Sequence, residues 1–338
     1  MKAIILMTLF TVSLAGIPRP EEAREDIPQP ILDNEELGEM DSNDNLTEEE
    51  FEEFFGLEPV TDEEEKARRE AALEAAEAEI KEENEKYLKG EADWWEEINE
   101  FSDLSKEEFE AEKTGAKEGF GRGAVEPEIS PIDERSERYF SELLLRRAST
   151  PSSYSAVDLG LVSPVKNQAQ CGSCVAFATM AAIETCFKKV TGGAFGDFSE
   201  QQLVDCGYQQ NGANGCNGAP TFSYTKFVAD SSLELTHESS YPYLNTEPKL
   251  TCPSTQPYSV GAKVTGSYYT YSGTEEKLKA LVAEHGAVIT SVAAAGPFQN
   301  YGGGIFSGCT SSSTDHAVTV VGYGTENGED YWLIKNSW

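Results

Sequence analysis

The chain has 338 residues, room for about two globular units, and carries 60 acidic against 26 basic side chains for a net charge of −34. So acidic a chain is a poor partner for nucleic acid, whose phosphates need Lys and Arg to displace their counterions, and equally poor for an anionic membrane surface. The two halves are unlike: residues 1–147 hold 44 of the acidic and 17 of the basic groups, and all seven cysteines come later, from Cys171 on.

In chain order, residues 1–16 read as a secretory signal peptide. Lys2 supplies the charged start, residues 3–14 an apolar stretch, and Ser13-Leu14-Ala15 small residues for cleavage. The apolar run is shorter than the roughly 20 residues a membrane span requires, and no later segment qualifies. Such a leader delivers the chain to an oxidising compartment, where paired cysteines are expected. Residues 17–53 contain fifteen acidic and two basic groups with scattered prolines, and read as an acidic, largely disordered tail that buries too little surface to order itself. The chain's one N-glycosylation sequon, Asn45-Leu46-Thr47, lies there. Residues 61–89 turn to a Glu/Ala/Lys-rich helix with Leu73, Ala76, Ile80 and Tyr87 on a helical period. That stripe is too thin and short for a free-standing coiled coil, so the helix needs another surface. Arg146-Arg147 and the stretch 149–155 mark an exposed, cleavable junction.

Beyond the junction Glu and Lys thin out while Gly, Ser, Cys and Tyr rise. Residues 173–190 read as a helix whose buried side is Val175, Phe177, Ala178, Ala181, Ala182 and Phe187. Ser199 caps a short helix over 199–206. Ser272 with Glu275 makes a capping-box pattern that opens a helix ending near His285-Gly286. Residues 288–295, 316–324 and 331–335 read as strands. Helices first and strands later point to the α+β class, a helical part and a sheet part packed together.

The chain has only three histidines. His285 sits at a helix C-terminus, a capping position, and His237 lies in a polar loop. His316 opens an apolar strand, an odd place for an imidazole unless a partner uses it. Cys174 is that partner. It falls on the first turn of the 173–190 helix, where the helix N-terminus favours the thiolate, and a histidine from elsewhere can hold it as a thiolate–imidazolium pair. Asn336, in the final strand, is a candidate to fix the ring. Cys171 and Cys174 also form a Cys-x-x-Cys pair that admits a redox or zinc reading. Zinc would need a second such pair or a Cys/His cluster, and the sequence has neither.

These residues resemble the papain-type cysteine proteases. The similarity spans roughly 151 to 338 and rests on 168–176, on Asp315-His316-Ala317 and on 331–338, with 199–206, Cys216-Asn217-Gly218 and Tyr241-Pro242-Tyr243 in family order between them. It implies a papain-like two-domain fold over 148–338, with a helical left domain and an antiparallel β-sheet or barrel right domain. A helical inhibitory prosegment over 54–147 would precede it. There, Glu65, Arg69, Leu73, Ala76, Ile80 and Asn84 occupy the spacing of the long helix of cathepsin L-like proenzymes, with Leu73 and Ala76 replacing its usual Phe and Asn. Asn99, Phe101 and Asp103 match its second, inhibitory motif.

Residue by residue, the resemblance implies Cys174 as nucleophile, His316 as general base and then acid, Asn336 as the group orienting the imidazole, and Trp338 as a shield over that hydrogen bond. Gln168 would hold the oxyanion together with the Cys174 N–H. Gly172, Gly218, Ala219 and Asp315 would meet the substrate backbone. The implied disulfides are Cys171–Cys216 and Cys206–Cys252, which leaves Cys186 and Cys309, with Cys186 expected as a buried free thiol. Neither metal nor cofactor is implied. The partners would be protein or peptide substrates and the chain's own prosegment, in a monomer of the lysosome or extracellular space. The short 206–216 loop, without an inserted His-rich segment, favours an endopeptidase.

The sequence departs from the family in several places. Val175 stands where most relatives carry Trp, and Ala219 where a second Gly is usual, which narrows the approach to the substrate backbone. The family continues past the Asn336 motif through further strands, so the C-terminal strands of the sheet domain are read as missing. The alternative function is therefore a truncated or inactive homologue acting by binding, with the prosegment as a protease inhibitor. Relatives release their prosegment in acid. The group expected to drive this is Asp103, ionised and hydrogen-bonded when folded and hence of depressed pKa.

Overall fold

The computed structural model describes residues 4–7, 47–117, 150–231, 233–244, 252, 260–264, 274–294, 296–309 and 313–338. Asn45, the Arg146-Arg147 pair and Ser272 lie outside them. The chain forms two compact units, one of Met1–Thr8, Glu110–Ala294 and Thr310–Trp338, the other of Leu9–Phe109 and Ala295–Cys309. Elements before position 118 are β1 (Ile4–Met7), α1 (Glu48–Phe55), α2 (Glu63–Leu88), β2 (Trp94–Glu96), α3 (Lys106–Lys113) and β3 (Ala116–Lys117). After position 149 come β4 (Tyr154–Ser155), α4 (Cys174–Thr191), α5 (Glu200–Cys206), β5 (Ala219–Pro220), α6 (Ser223–Ser231), β6 (Glu234–Thr236) and β7 (Val260–Lys263). Then follow α7 (Glu275–His285), β8 (Val288–Val292), β9 (Tyr301–Gly304), β10 (His316–Glu326) and β11 (Glu329–Lys335).

In the second unit, a helix lies inside the stretch read as an acidic tail. Thr47 caps α1 in a capping box, its hydroxyl accepting from the Glu50 N–H while the Glu50 carboxylate accepts from the Thr47 N–H. Glu48, Glu49 and Glu50 form the first turn, so the acidic run that suggests disorder also suits a helix N-terminus, and Phe51 is fully buried. α2 starts at Asp62, which accepts from the N–H groups of Glu64 and Glu65. It buries Leu73, Ala76, Ile80 and Asn84, steps of three and four that share one face. Part of the surface this stripe needs is β2, where the Asn84 side chain bonds the N–H and the C=O of Glu96, each at 2.9 Å. β2 pairs antiparallel with β9, Trp94 opposite Gly304, and Trp94 meets Phe306 edge-on with ring centres 4.5 Å apart.

The first unit has a helical side and a sheet side. α4 buries Val175, Phe177, Ala178, Met180 and Ala181 and shares a core with Phe198, Leu203, Tyr224, Val228 and Leu235. On the sheet side, β10 pairs antiparallel with β11 along one edge, while β8 and β4 share its other edge. Ala156, Ala287, Val321 and Leu333 form the core there. β1, inside the stretch read as a leader, lies parallel on β11 with Ile4 opposite Trp332 and Met7 opposite Lys335. The free N–H and C=O groups of an edge strand accept such an extended segment.

Both implied disulfides are present, Cys171–Cys216 and Cys206–Cys252. Cys186 and Cys309 have none, and Cys186 is exposed, not buried as expected. The buried positions in that half of α4 are Glu184 and Thr185, and one further step of about 100° turns Cys186 outward. The N-cap of α7 is Thr274, not Ser272, since the Thr274 hydroxyl accepts from the Lys277 N–H.

Candidate active site

Cys174 is the first residue of α4, delivered by the loop that follows Gln168. Because Cys171 is tied to Cys216, the redox reading of the Cys-x-x-Cys pair falls away. Cys174 is fully buried, and its sulfur accepts from the Ala317 N–H at 3.4 Å. Ala317 follows His316 on β10, so this contact joins the helix carrying the thiol to the strand carrying the imidazole. Burial pushes the thiol up to about 12 and the His316 imidazole down to about 4, which leaves both groups neutral here.

His316 Nε2 lies 2.6 Å from Asn336 Oδ1. An amide oxygen only accepts, so this ring nitrogen carries the proton and Nδ1 of the neutral ring is the base. Nδ1 is buried and without a hydrogen-bond partner, ready to receive a proton. Trp338 stacks on the imidazole, 4.5 Å between ring centres and 29° between planes.

Gln168 is clamped from several sides. Its backbone N–H donates to Ser337 O at 2.8 Å, and its Oε1 accepts from Ser337 Oγ at 2.7 Å. Its Nε2 donates to Cys171 O at 2.9 Å and to Lys113 O at 3.1 Å. The next residue, Ala169, has a φ of +51°, an uncommon backbone for a residue with a side chain. Ser337 is absent from the sequence-based site; its position directly after Asn336 is the signal that points to it.

The main chain from Lys113 to Lys117 fills the groove beside these groups. Lys113 O also accepts from Trp338 Nε1 at 3.1 Å. The N–H groups of Gly115 and Ala116 donate to Asp315 O at 2.9 and 2.7 Å, and Ala219 N–H donates to Gly115 O at 2.8 Å. Asp315 thus offers its carbonyl, while its carboxylate accepts from the Ala294 N–H. β3 pairs parallel with β5, Ala116 opposite Ala219. A methyl on Gly115 would fall 2.1 Å from Gly172 O, and one on Gly218 2.2 Å from Gly115 O, so only glycine permits these approaches. The Ala219 side chain is buried in the core. Its N–H pairs with the passing backbone, as a Gly N–H there would.

Cys174, His316, Asn336, Gln168, Trp338, Gly172, Gly218, Ala219 and Asp315 therefore come together in the first unit. Asn99, Phe101 and Asp103 belong to the second. There Asn99 Nδ2 donates to Gln299 O at 2.8 Å, Phe101 packs on Phe109, and Asp103 accepts from Arg69 Nη1 at 2.6 Å. Burial raises the Asp103 pKa despite Arg69, the reverse of the depression expected from sequence. The segment Thr114-Gly115-Ala116 was not picked out from sequence either, since nothing local marks a short loop as the occupant of a distant groove.

Compared with known proteins, residues 150–338 match the family described as papain family cysteine protease. Digestive cysteine proteinase 1 of Homarus americanus is 36% identical over 299 residues, 86% of this chain and 84% of that protein. The cathepsin L-like proteinase of Phaedon cochleariae is 36% identical over 77% of this chain and 74% of its own length. Among solved structures, digestive procathepsin L 3 of the Tenebrio molitor larval midgut aligns with a TM-score of 0.69 at 32% identity, covering 86% of this chain and 87% of the other. Recombinant stem bromelain precursor aligns with a TM-score of 0.68 at 28% identity over 86% of each chain.

Proposed function

The chain belongs to the papain family of cysteine proteases, and on that premise we propose that it is a cathepsin L-like endopeptidase made as a proenzyme in the secretory pathway, for use in the lysosome or outside the cell. In this reading the His316 Nδ1 takes the Cys174 proton, and the thiolate attacks the carbonyl carbon of the scissile bond. Gln168 Nε2 and the Cys174 N–H receive the oxyanion. One such donor is typically worth about 2.7–4 kcal/mol of barrier. The tetrahedral intermediate collapses to a thioester as the imidazolium gives its proton to the leaving amine. Water, deprotonated by His316, then hydrolyses the thioester and regenerates the thiol. Asn336 keeps the ring in the tautomer that makes Nδ1 the base.

What carries the reading is the unbroken main chain in the groove. Residues 113–117 run from Gln168 and Trp338 to Ala219, so the groove takes a polypeptide that continues in both directions, as an endopeptidase requires. The same run accounts for inhibition. It lies parallel to β5, with the Gly115 and Ala116 N–H groups held on the Asp315 carbonyl beside the Cys174 sulfur. It also buries the thiol and imidazole and so keeps them neutral.

The test is labelling with a peptidyl epoxide before and after limited proteolysis at Arg146-Arg147, with Cys174→Ala alongside. Label on Cys174 only after processing, and none on Cys186 or Cys309, is the expected result. Processed chain that takes no label at Cys174 overturns the reading and leaves a protein that acts by binding.

A further inference from the structure

Asn336 spends only one end of its amide on the site. Its Oδ1 lies 2.6 Å from His316 Nε2 and accepts from the Ser337 N–H at 2.8 Å. The other end, Nδ2, is buried and has no hydrogen-bond partner among the described residues. An amide group that deep in a protein calls for an acceptor. Behind Asn336 lies a cavity with room for about one water molecule. Asn336 lines it, whereas His316 and Trp338 do not, so the end of the amide turned away from the imidazole, Nδ2, is the one that meets the cavity.

Three more buried polar side chains line the same cavity, Thr319, Lys335 and Ser337, and their existing bonds fix what each can offer it. Thr319 Oγ1 gives its proton to Ala178 O at 3.1 Å, and Ser337 Oγ gives its proton to Gln168 Oε1 at 2.7 Å. A hydroxyl has one proton, so toward anything further both oxygens act as acceptors. Lys335 Nζ donates to Ser163 Oγ at 2.9 Å and has more than one N–H to give. The wall therefore presents two donors, Asn336 Nδ2 and Lys335 Nζ, and two acceptors, Thr319 Oγ1 and Ser337 Oγ. A single water has two lone pairs and two protons to match them. A cation would meet the Lys335 ammonium and the amide protons, and an anion would meet Glu184 and Glu200, which also line the cavity.

We propose that this cavity is the site of one structural water, which accepts from Asn336 Nδ2 and so holds the amide with Oδ1 toward the imidazole. Its other bonds run to Lys335, Thr319 and Ser337. The consequence for catalysis rests on the protease reading, while the water site itself does not. Without the water, one end of the amide is unanchored and the His316 Nε2 proton loses a steady acceptor.

Two measurements test this. The first is a crystal structure of the full chain carrying Cys174→Ala, at a resolution that shows ordered water. A density peak is expected within hydrogen-bond distance of Asn336 Nδ2 and of two or more of Lys335 Nζ, Thr319 Oγ1 and Ser337 Oγ. A cavity with no such peak overturns the proposal. The second is kcat and KM against pH on a peptide substrate, for the processed parent, Ala181→Val and Thr319→Val. Ala181 lines the cavity, and the two methyl groups that valine adds there displace the water. The expected result is a fall in kcat of about tenfold with KM changed less than about threefold, as for a group that acts in the transition state. The alkaline limb of the profile, where the imidazolium loses its proton, moves down by about half a pH unit, because the bond to Asn336 raises the His316 pKa. Thr319→Val keeps the shape of the side chain, takes one bond from the water and moves that limb the same way by a smaller step. A merely structural effect lowers the amount of active protein and leaves the alkaline limb in place, which overturns the positioning role. Should Ala181→Val fail to fold, the crystal structure and Thr319→Val decide. A processed parent that takes no label at Cys174 overturns the protease reading instead, and the water site is then read from the crystal alone.

Discussion

In the first unit the buried carboxylates Glu184 and Glu200 surround Lys166, whose Nζ lies 3.0 Å from one and 2.9 Å from the other. In the second unit Glu48 and Glu96 are just as buried; Glu96 has no hydrogen-bond partner on either oxygen, and Glu48 faces another carboxyl, Asp103. Around Lys166 every polar group is answered. Glu184 also accepts from the Ser163 hydroxyl and from the Phe198 N–H, and Lys335 donates to Ser163. Burial alone would push the Lys166 pKa down, but Glu200 and Glu184 outweigh it and hold the ammonium well above its usual range. In the second unit burial dominates, pushing Glu48 up to about 7 and Glu96 up to about 8. Asp103, Glu52 and Glu70 add to this around Glu48 against Arg69. Glu79 and Glu83 do so around Glu96 against Lys106 and Lys86. One unit sets its buried carboxylates around a cation and further donors, although burial still pushes Glu200 up to about 8 against Lys166. The other buries Glu96 with no hydrogen bond to either oxygen, and raised carboxyls tie the stability of both units to pH.

The sign of that dependence follows from proton binding. A carboxyl whose folded pKa lies above its unfolded value binds more protons in the folded state between the two. Its stabilisation is complete below the unfolded value near 4.5 and is lost as pH rises through about 7 for Glu48 and about 8 for Glu96. The second unit is therefore most stable in acid. Release of the prosegment at low pH through an ionised Asp103, the expectation from sequence, has the opposite sign to what these buried carboxyls and the raised Asp103 produce.

The contrast breaks or sharpens in graded steps. The largest effect is expected from Lys166→Met, which strands Glu184 and Glu200 and costs the first unit about 3–5 kcal/mol, read as a shift in the urea midpoint of the whole chain. A loss below about 1 kcal/mol would mean that the cage does not hold these charges. Next comes Glu96→Gln, neutral at every pH, which raises the stability of the second unit by about 2 kcal/mol at pH 8 and leaves it unchanged at pH 4. Equal effects at both pH values would show that Glu96 is not buried as an acid. In the unaltered chain, the protection factors of α2 amides against hydrogen exchange fall at least about tenfold from pH 5 to pH 8, with a smaller fall in α4, where Glu200 is raised but has Lys166 against it. A larger fall in α4 than in α2 would reverse the difference between the units. The smallest is Thr47→Ala, which removes the capping box and costs α1 about 1 kcal/mol, detected as faster exchange in α1 alone.

Much of the catalytic set was legible in the sequence because its signals are local. Cys174 reads as a nucleophile from its place at a helix start, His316 from its position at the head of an apolar strand, and α2 from the spacing of Leu73, Ala76 and Ile80. These depend on residue type and short spacing, as do the boundaries of α4, β10 and β11. The resemblance carried Gln168, Asn336, Trp338 and both disulfides; both bridges form, and the structure sets Asn336 and Trp338 against His316 and Gln168 against Ser337. Where composition stood in for contacts, the reading missed. The acidic run before Phe51 suggested a tail, and its helix became visible only once Phe51 was seen to bury.

Residue type and spacing within the sequence thus determined the candidate pair Cys174 and His316, the long helix over 61–89 and the order of helices and strands. The tertiary structure alone decided that residues 113–117 occupy the groove, that Cys186 faces outward, and that Asp103 is raised. Each of these rests on which distant surfaces meet and how much water they exclude. Hydrogen bonds across long sequence separations and the cost of removing a charge from water depend on the packed chain as a whole and leave no mark in the local pattern.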